Sequence, residues 1–286
     1  MRLMITGAAG MTGAEVVRQS EASGIECAAF TRCDLDISDA AAVFAAVRKS
    51  APDIVVNAAA YTAVDQAECD EEQATLVNGY GAGNVARAAA MAGTGIIHIS
   101  TDYVFDGVSK QPYLPSDRTN PLGAYGRSKL AGEVAVRSAG GRHMIVRTSW
   151  VYSHEGRNFV RTMLRLASSG TELSVVDDQH GSPTSASDLA GALIRAAEAM
   201  CSTPSLRGTY HFTNSGMTTW YDFATAIFEL RGGSVPVIRP VSTAEYPTPA
   251  KRPLWSVLDC TSFENNVGVT ARPWRTALRQ TLDRIQ

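Results

Sequence analysis

Read from its N-terminus, the chain alternates short apolar runs with longer stretches of helical spacing. The apolar runs Arg2–Thr6, Glu26–Phe30, Ile54–Asn57, Gly95–Ser100 and His143–Thr148 predict strands. Between them, Ala-rich segments with apolar positions three and four apart predict helices over Met11–Ser23, Ala40–Ser50, Gln73–Ala92 and Tyr125–Arg137. The strand runs are apolar at successive positions, as a sheet covered by helices on both faces requires. Strands alternating with helices make βαβ units. The predicted class is α/β, a doubly wound Rossmann-type parallel sheet over residues 1–150.

Past residue 150 the pattern changes. Helical spacing covers Asn158–Ala167, Ser187–Met200 (with Ser187 or Asp188 as its cap) and the residues after Thr218-Thr219 through Leu230, without a regular strand pattern. The stretch VPVIRPVSTAEYPTPAKRP, starting at Val235, is Pro-rich yet interrupted by Val, Ile and Tyr. It reads as an ordered loop over a cleft. Residues 151–286 are therefore expected to form mainly a smaller C-terminal substrate-binding lobe, interleaved with the first domain.

Composition narrows the partners. Of 286 residues, 45% are hydrophobic and 19% charged, as in ordinary folded proteins. Net charge is −2, so no basic excess exists to draw nucleic acid or an anionic membrane. No apolar stretch approaches bilayer length, and Leu3-Met4-Ile5 is too short for a secretory signal. The five Cys are scattered without a CxxC pair, which suits free thiols in a reducing cytoplasm. The five His show no metal-ligand spacing, so no metal residue is assigned from spacing.

Two constellations carry chemistry. Gly7-Ala8-Ala9-Gly10-Met11-Thr12-Gly13 joins the first strand to the first helix. A dinucleotide fingerprint needs Gly7 for the tight turn, Gly10 for approach to a pyrophosphate and Gly13 for helix–strand packing. The helix N-terminus adds unpaired N–H groups; a purely structural βα turn is the plain alternative. At the tip of the second strand stands Arg32, where an NAD enzyme usually has a carboxylate. A guanidinium there suits a 2′-phosphate, which favours NADPH and leaves NADH usable; a solvated Arg is the alternative. Asp34 or Asp36 is placed to bond an adenine amino group. The second constellation pairs Ser100-Thr101-Asp102, at a strand's C-terminal end, with Tyr125 and Lys129, one turn apart on a helix. A Lys ammonium beside Tyr lowers the phenol pKa, and Thr101 offers a hydroxyl to a substrate oxygen.

With these residues in place, the chain resembles the dTDP-4-dehydrorhamnose reductase family of extended short-chain dehydrogenase/reductases. The matching segments include NAAAYTAVDQAE (57–68), STDYVFDG (100–107), PLGAYGRSKLAGE (121–133), RTSWVY (147–152), DDQHGSPT (177–184) and YPTPAKRP (246–253). The resemblance implies reduction of the 4-keto group of dTDP-6-deoxy-L-lyxo-4-hexulose to dTDP-L-rhamnose with NAD(P)H. It implies Thr101, Tyr125 and Lys129 as the catalytic set, with Tyr125 the proton donor. It implies Gly10, Met11, Thr12, Asp36, Ile37, Ala60, Tyr61, Thr62, Tyr125 and Lys129 at the cofactor. Thr101, Asp102 and Trp150 would meet the sugar nucleotide. Met11-Thr12 departs from the family's frequent Gln and aliphatic residue, while keeping the backbone N–H groups.

Three residues keep two readings. Trp150 either stacks on the substrate or packs in the core; Arg252 either clamps a diphosphate or is solvated; Asn158 either touches the substrate or caps its helix. Relatives with Mg²⁺ between subunits would set Glu15, Asp188 and, more weakly, Asp283 at the ion, against solvated carboxylates. The resemblance leaves a homodimer open. Rival activities are another sugar-nucleotide ketoreductase or epimerase, and a non-catalytic regulatory subunit like that of methionine adenosyltransferase. Tyr103 stands where 4,6-dehydratases carry Glu, and no G-x-S-x-G elbow of a hydrolase is present.

Overall fold

Hydrogen-bonded runs of buried β-branched and aliphatic residues build the centre of the molecule. A computed structural model of the chain describes residues 1–167, 172–232 and 236–285. Five strands fall where the apolar runs predict them: β1 (Arg2–Thr6), β2 (Glu26–Phe30), β3 (Ile54–Asn57), β4 (Gly95–Thr101) and β5 (His143–Thr148). A sixth, β10 (Gly208–His211), joins them, and the sheet order is β10-β5-β4-β3-β1-β2, parallel throughout. The order of strand addition reverses between β1 and β3, with β2 on one side and β3, β4 and β5 on the other. Ligands of such sheets bind at this switch point, outside the carboxyl ends of the strands.

Helices cover both faces. Leu3, Ile5, Val56, Ile97 and Val146 face α1 (Met11–Ala22) and α7 (Ala186–Ser202), with Val16 and Leu193 in the same core. Met4, Val55, Ile96 and Ile145 face α2 (Ala40–Ser50), α4 (Ala82–Met91) and α5 (Ala124–Ser138). Helix α7 lies against α1, and β10 against β5, so residues beyond 150 complete the first sheet.

The segment predicted as one helix over Gln73–Ala92 is interrupted. Helix α3 (Glu71–Thr75) passes through a π turn, Leu76–Gly81, before α4 resumes. Two glycines and an Asn in that turn, Asn78-Gly79-Tyr80-Gly81, lower helix propensity there. The cap assigned to Ser187 or Asp188 also moves. Helix α7 starts at Ala186, and Ser185 Oγ accepts the Asp188 N–H at 3.4 Å.

The remaining chain carries strands that hydropathy does not announce. They are β6 (Val151–Tyr152), β7 (Leu173–Val176), β8 (His180–Gly181), β9 (Thr184–Ser185), β11 (Thr218–Thr219) and β12 (Ile238–Val241). They pair as β6-β9, β7-β12 and β8-β11. The Pro-rich stretch is thus partly strand, through β12; its first residue, Val235, lies outside the described residues. A second apolar core unites α6 (Phe159–Ala167), α8 (Trp220–Arg231) and α10 (Trp274–Asp283) around Tyr152, Phe223, Ile227 and Leu278. Helix α9 (Thr261–Val267) packs Phe263 into the first core. Among the described residues no helix is long and apolar enough to cross a membrane.

Candidate active site

The cleft lies above the carboxyl ends of β1, β3, β4 and β5, with a volume of about 560 Å³. Its first wall is backbone. Gly7 adopts φ +69°, the left-handed region that side chains avoid, and a Cβ there would meet Ala59 N at 2.6 Å. A Cβ on Gly13 would stand 2.2 Å from Gly7 O, so the helix reaches the strand only because Gly13 has none. Gly10 precedes α1 without a side-chain cap, and the N–H groups of Met11, Thr12 and Gly13 have no intrahelical acceptor. This cradle fits an anionic diphosphate.

Arg32, Asp36 and Ile37 line the same cleft at the end of β2. Arg32 and Asp36 are exposed, and Asp36 is held below the usual carboxylate range by hydrogen bonds from Ser38. Asp34 is not on the cleft lining: it folds back to accept the Thr31 N–H and hydroxyl at 2.9 and 2.6 Å. Ala60, Tyr61 and Thr62 line the cleft after β3. Their loop is pinned by Asn78, which accepts the Tyr61 N–H at 2.8 Å and donates to Tyr61 O at 3.0 Å and to Ser128 Oγ at 2.9 Å. Asn78 sits in the π turn, where such irregularities often serve a site. Sequence reasoning missed it; the Asn-Gly-Tyr-Gly run inside a helical pattern was the available signal.

The second wall is made of side chains. Thr101 ends β4, and its hydroxyl donates to Asp102 Oδ1 at 3.0 Å while accepting the Tyr103 N–H at 3.2 Å. Tyr125 borders the cleft beside Thr101. Burial pushes the Tyr125 phenol up to about 12, against the pull of Thr101, and the Asp102 charge adds to the rise. Burial also raises Asp102 to about 6, with Ser256 and Thr101 opposing. Lys129 is buried, and its Nζ donates to Ile99 O at 2.6 Å. Burial draws Lys129 down to about 8, with Glu133 opposing. Lys129 is drawn to a backbone carbonyl, and burial, not Lys129, has the largest effect on the Tyr125 phenol.

Thr101, Asp102, Tyr125, Lys129, Trp150 and Asn158 all line the cleft, together with Ser149 and Arg157, which sequence reasoning did not single out. Trp150 sits at φ +48°, two residues past the end of β5, and stacks on Trp220, ring centroids 3.7 Å apart. One ring face is therefore committed to the second core while the residue still borders the cleft. Asn158 is the α6 cap. Its Oδ1 accepts the Arg161 N–H at 3.2 Å, and its amide donates to Ser153 O and Glu155 O at 2.8 and 3.1 Å. Arg252 is turned to Asp65, at 2.8 Å, beside Tyr103 rather than on the cleft lining.

The carboxylates considered for Mg²⁺ are engaged within the chain. Glu15 is held by Arg18 at 2.6 Å and Arg284 at 3.0 Å, and Asp188 by Arg272 at 2.7 Å. Asp283 is exposed, and among the described residues no group of three acidic, His or Cys ligands converges.

Comparison with known proteins agrees with this geometry. The family model described as RmlD substrate binding domain matches residues 1–286. A Sinorhizobium fredii protein named dTDP-4-dehydrorhamnose reductase is 45% identical over 98% of this chain and 96% of its own length. A Streptomyces antibioticus protein named probable dTDP-4,6-dihydroxy-2-methyloxan-3-one 4-ketoreductase is 41% identical over 98% and 94%. The crystal structure of dTDP-4-dehydrorhamnose reductase from Bacillus anthracis, in complex with NADP, superimposes with a TM-score of 0.92. It shares 37% identity, with 99% of this chain and 98% of that one covered.

Proposed function

The chain belongs to the RmlD substrate binding domain family, and on that premise we propose that it reduces the 4-keto group of dTDP-6-deoxy-L-lyxo-4-hexulose to dTDP-L-rhamnose with NADPH. The observation that carries this reading is the meeting of Thr101, Tyr125 and Lys129 with the glycine cradle in one cleft.

Gly7, Gly10, Met11, Thr12 and Gly13 would hold the cofactor diphosphate. Arg32, Asp36 and Ile37 would hold its adenosine end, and Ala60, Tyr61, Thr62, Tyr125 and Lys129 its nicotinamide half. When bound, the reduced nicotinamide supplies the hydride for the keto carbon. Thr101 and Tyr125 present hydroxyls to the carbonyl oxygen, where negative charge develops. Tyr125, a neutral phenol across the physiological range, gives that oxygen its proton. Lys129 keeps a positive charge beneath the reacting groups below about pH 8. Asp102, which lines the cleft and holds the Thr101 hydroxyl, would meet the sugar nucleotide beside it. Trp150 offers its indole edge to the sugar nucleotide, and Arg157 brings a cation to the same cleft.

The five cysteines are free thiols, which supports a cytoplasmic setting. Incubating the pure protein with the 4-keto sugar nucleotide and NADPH tests the activity. NADPH oxidation with formation of dTDP-L-rhamnose is expected. Turnover confined to other deoxy-sugar 4-ketones would favour the second reading, an antibiotic-sugar ketoreductase, which the Streptomyces relative supports.

A further inference from the structure

Beneath the second wall runs a buried polar row that the chemistry above does not use. On the sheet face under α5, Ser100 of β4 and Arg147 of β5 are register partners, as are Arg147 and His211 of β10. Glu133 reaches down onto this row from α5, one turn past Lys129 and two past Tyr125. Its carboxylate is fully buried. Oε1 accepts Ser100 Oγ at 2.7 Å and Arg147 Nε at 2.8 Å; Oε2 accepts Arg147 Nη2 at 2.8 Å and Arg137 Nη1 at 3.2 Å. Arg147 in turn donates to Pro115 O at 3.2 Å and lies 3.4 Å from His211 Nε2.

We infer that Glu133 is a positioning residue of the reductase site, a clamp that fixes the helix carrying Tyr125 and Lys129 against the strand ends carrying Thr101 and Ser149. The inference rests on the functional reading above. Apolar packing alone leaves a helix free to settle by tenths of an ångström. A bidentate carboxylate–guanidinium fork specifies direction as well as distance. Ser100 is bonded to Thr101 through one peptide link, and Arg147 lies two residues before Ser149, so the fork fixes both strand ends at once. Stability does not require such a fork. A buried ion pair replaced whole by apolar residues is often neutral or better, whereas losing one partner is costly.

Glu133 also bears on Lys129. The other charged or titratable groups facing the two are Arg147, His211, His98 and, on α5 itself, Arg137 and Tyr125. The acids of the preceding elements are engaged elsewhere: Glu68 on the Ala124 N–H at 2.8 Å, Glu71 on Arg127 at 2.7 Å. Glu133 is the negative charge that favours the ammonium of Lys129 against burial.

The test removes the fork as a pair. Glu133→Leu combined with Arg147→Met should fold and melt close to the wild type. Its kcat should fall about 100-fold, the scale of a misplacement near one ångström, with KM nearly unchanged. The alkaline limb of its pH profile should move down by about one pH unit, because Lys129 loses its neighbouring negative charge. Glu133→Gln, which keeps the volume and the Ser100 contact, should show the same downward displacement. A folded double variant with kcat within threefold of wild type and an unmoved limb would overturn the clamp. So would unfolding of both variants, since Glu133 would then serve the fold alone. If the wild type turns over no dTDP-4-keto sugar, the functional reading fails by itself. The clamp is then judged on the pH dependence of NADPH binding, where the same displacement is expected and its absence overturns it.

Discussion

The two walls of the cleft are made in opposite ways. Around Gly7–Gly13 the surface is backbone, shaped by missing side chains: one Cβ on Gly13 would collide with Gly7 O. Around Thr101, Tyr125 and Lys129 the surface is side chain, and Thr101 and Lys129 each have a named buried partner. A surface made by absence is damaged by adding atoms, and one made by partners is damaged by taking them away. The first wall offers a ligand dipoles that do not titrate. The second places ionisable groups out of water, where burial raises Tyr125 and lowers Lys129. Binding and chemistry are thereby separable by mutation.

The largest expected effect is on the chemistry wall. Tyr125→Phe keeps the ring and removes the proton donor. General acid catalysis contributes roughly 10²–10⁴-fold, so kcat should fall by that range while NADPH affinity holds. Steady-state rates beside a cofactor titration check both halves. A variant within threefold of wild-type kcat would show that another group supplies the proton.

The backbone wall should give the converse split. Gly13→Ala forces α1 away from the β1 turn, an overpacking cost of about 2 kcal/mol within the usual 1–3. Felt at the diphosphate cradle, that is roughly a 30-fold loss of NADPH affinity. At saturating NADPH, kcat should change far less than in Tyr125→Phe. Fluorescence titration of NADPH measures the shift, and an unaltered Kd would mean that the cradle tolerates the added carbon.

The walls also differ in how they announce themselves. Glycines between an apolar strand and a helix have a local reason, and Thr101, Tyr125 and Lys129 lie at strand-end and helical spacing; both were legible. Asn78, Glu133 and Arg147 were not. Asn78 bonds Tyr61 and Ser128, 17 and 50 residues away, and Glu133 bonds Ser100 and Arg147, 33 and 14 residues away, so only the folded chain brings them together. The pairing of Arg252 with Asp65, 187 residues apart, is hidden for the same reason. In the fold, β1, β3, β4 and β5 stood out because both faces are buried. Strands such as β6, β8, β9 and β11 are two residues long, too short for any period to show. The strand β10 reads Gly-Thr-Tyr-His, and its place beside β5 depends on the fold already formed.

The smallest effect tests whether the backbone wall borrows one side chain for selectivity. Arg32 lines the cleft at the tip of β2, exposed, with Asp36 nearby. No carboxylate occupies the strand tip to repel a 2′-phosphate. A hydrogen bond between charged groups contributes roughly 1.5–3 kcal/mol, and exposure to salt reduces it. A net preference of about 1.4 kcal/mol for NADPH over NADH follows, or about tenfold in kcat/KM. NADH should still serve, because its ribose hydroxyl loses only a charge-assisted partner and keeps water. Arg32→Ala should erase the preference by weakening NADPH alone, with NADH kinetics unmoved and kcat for both cofactors intact. The salt dependence should track it: raising ionic strength erodes the wild-type preference and leaves the variant flat. Equal kcat/KM for the two cofactors in the wild type, or a preference that survives in Arg32→Ala, would return the whole of cofactor choice to the backbone.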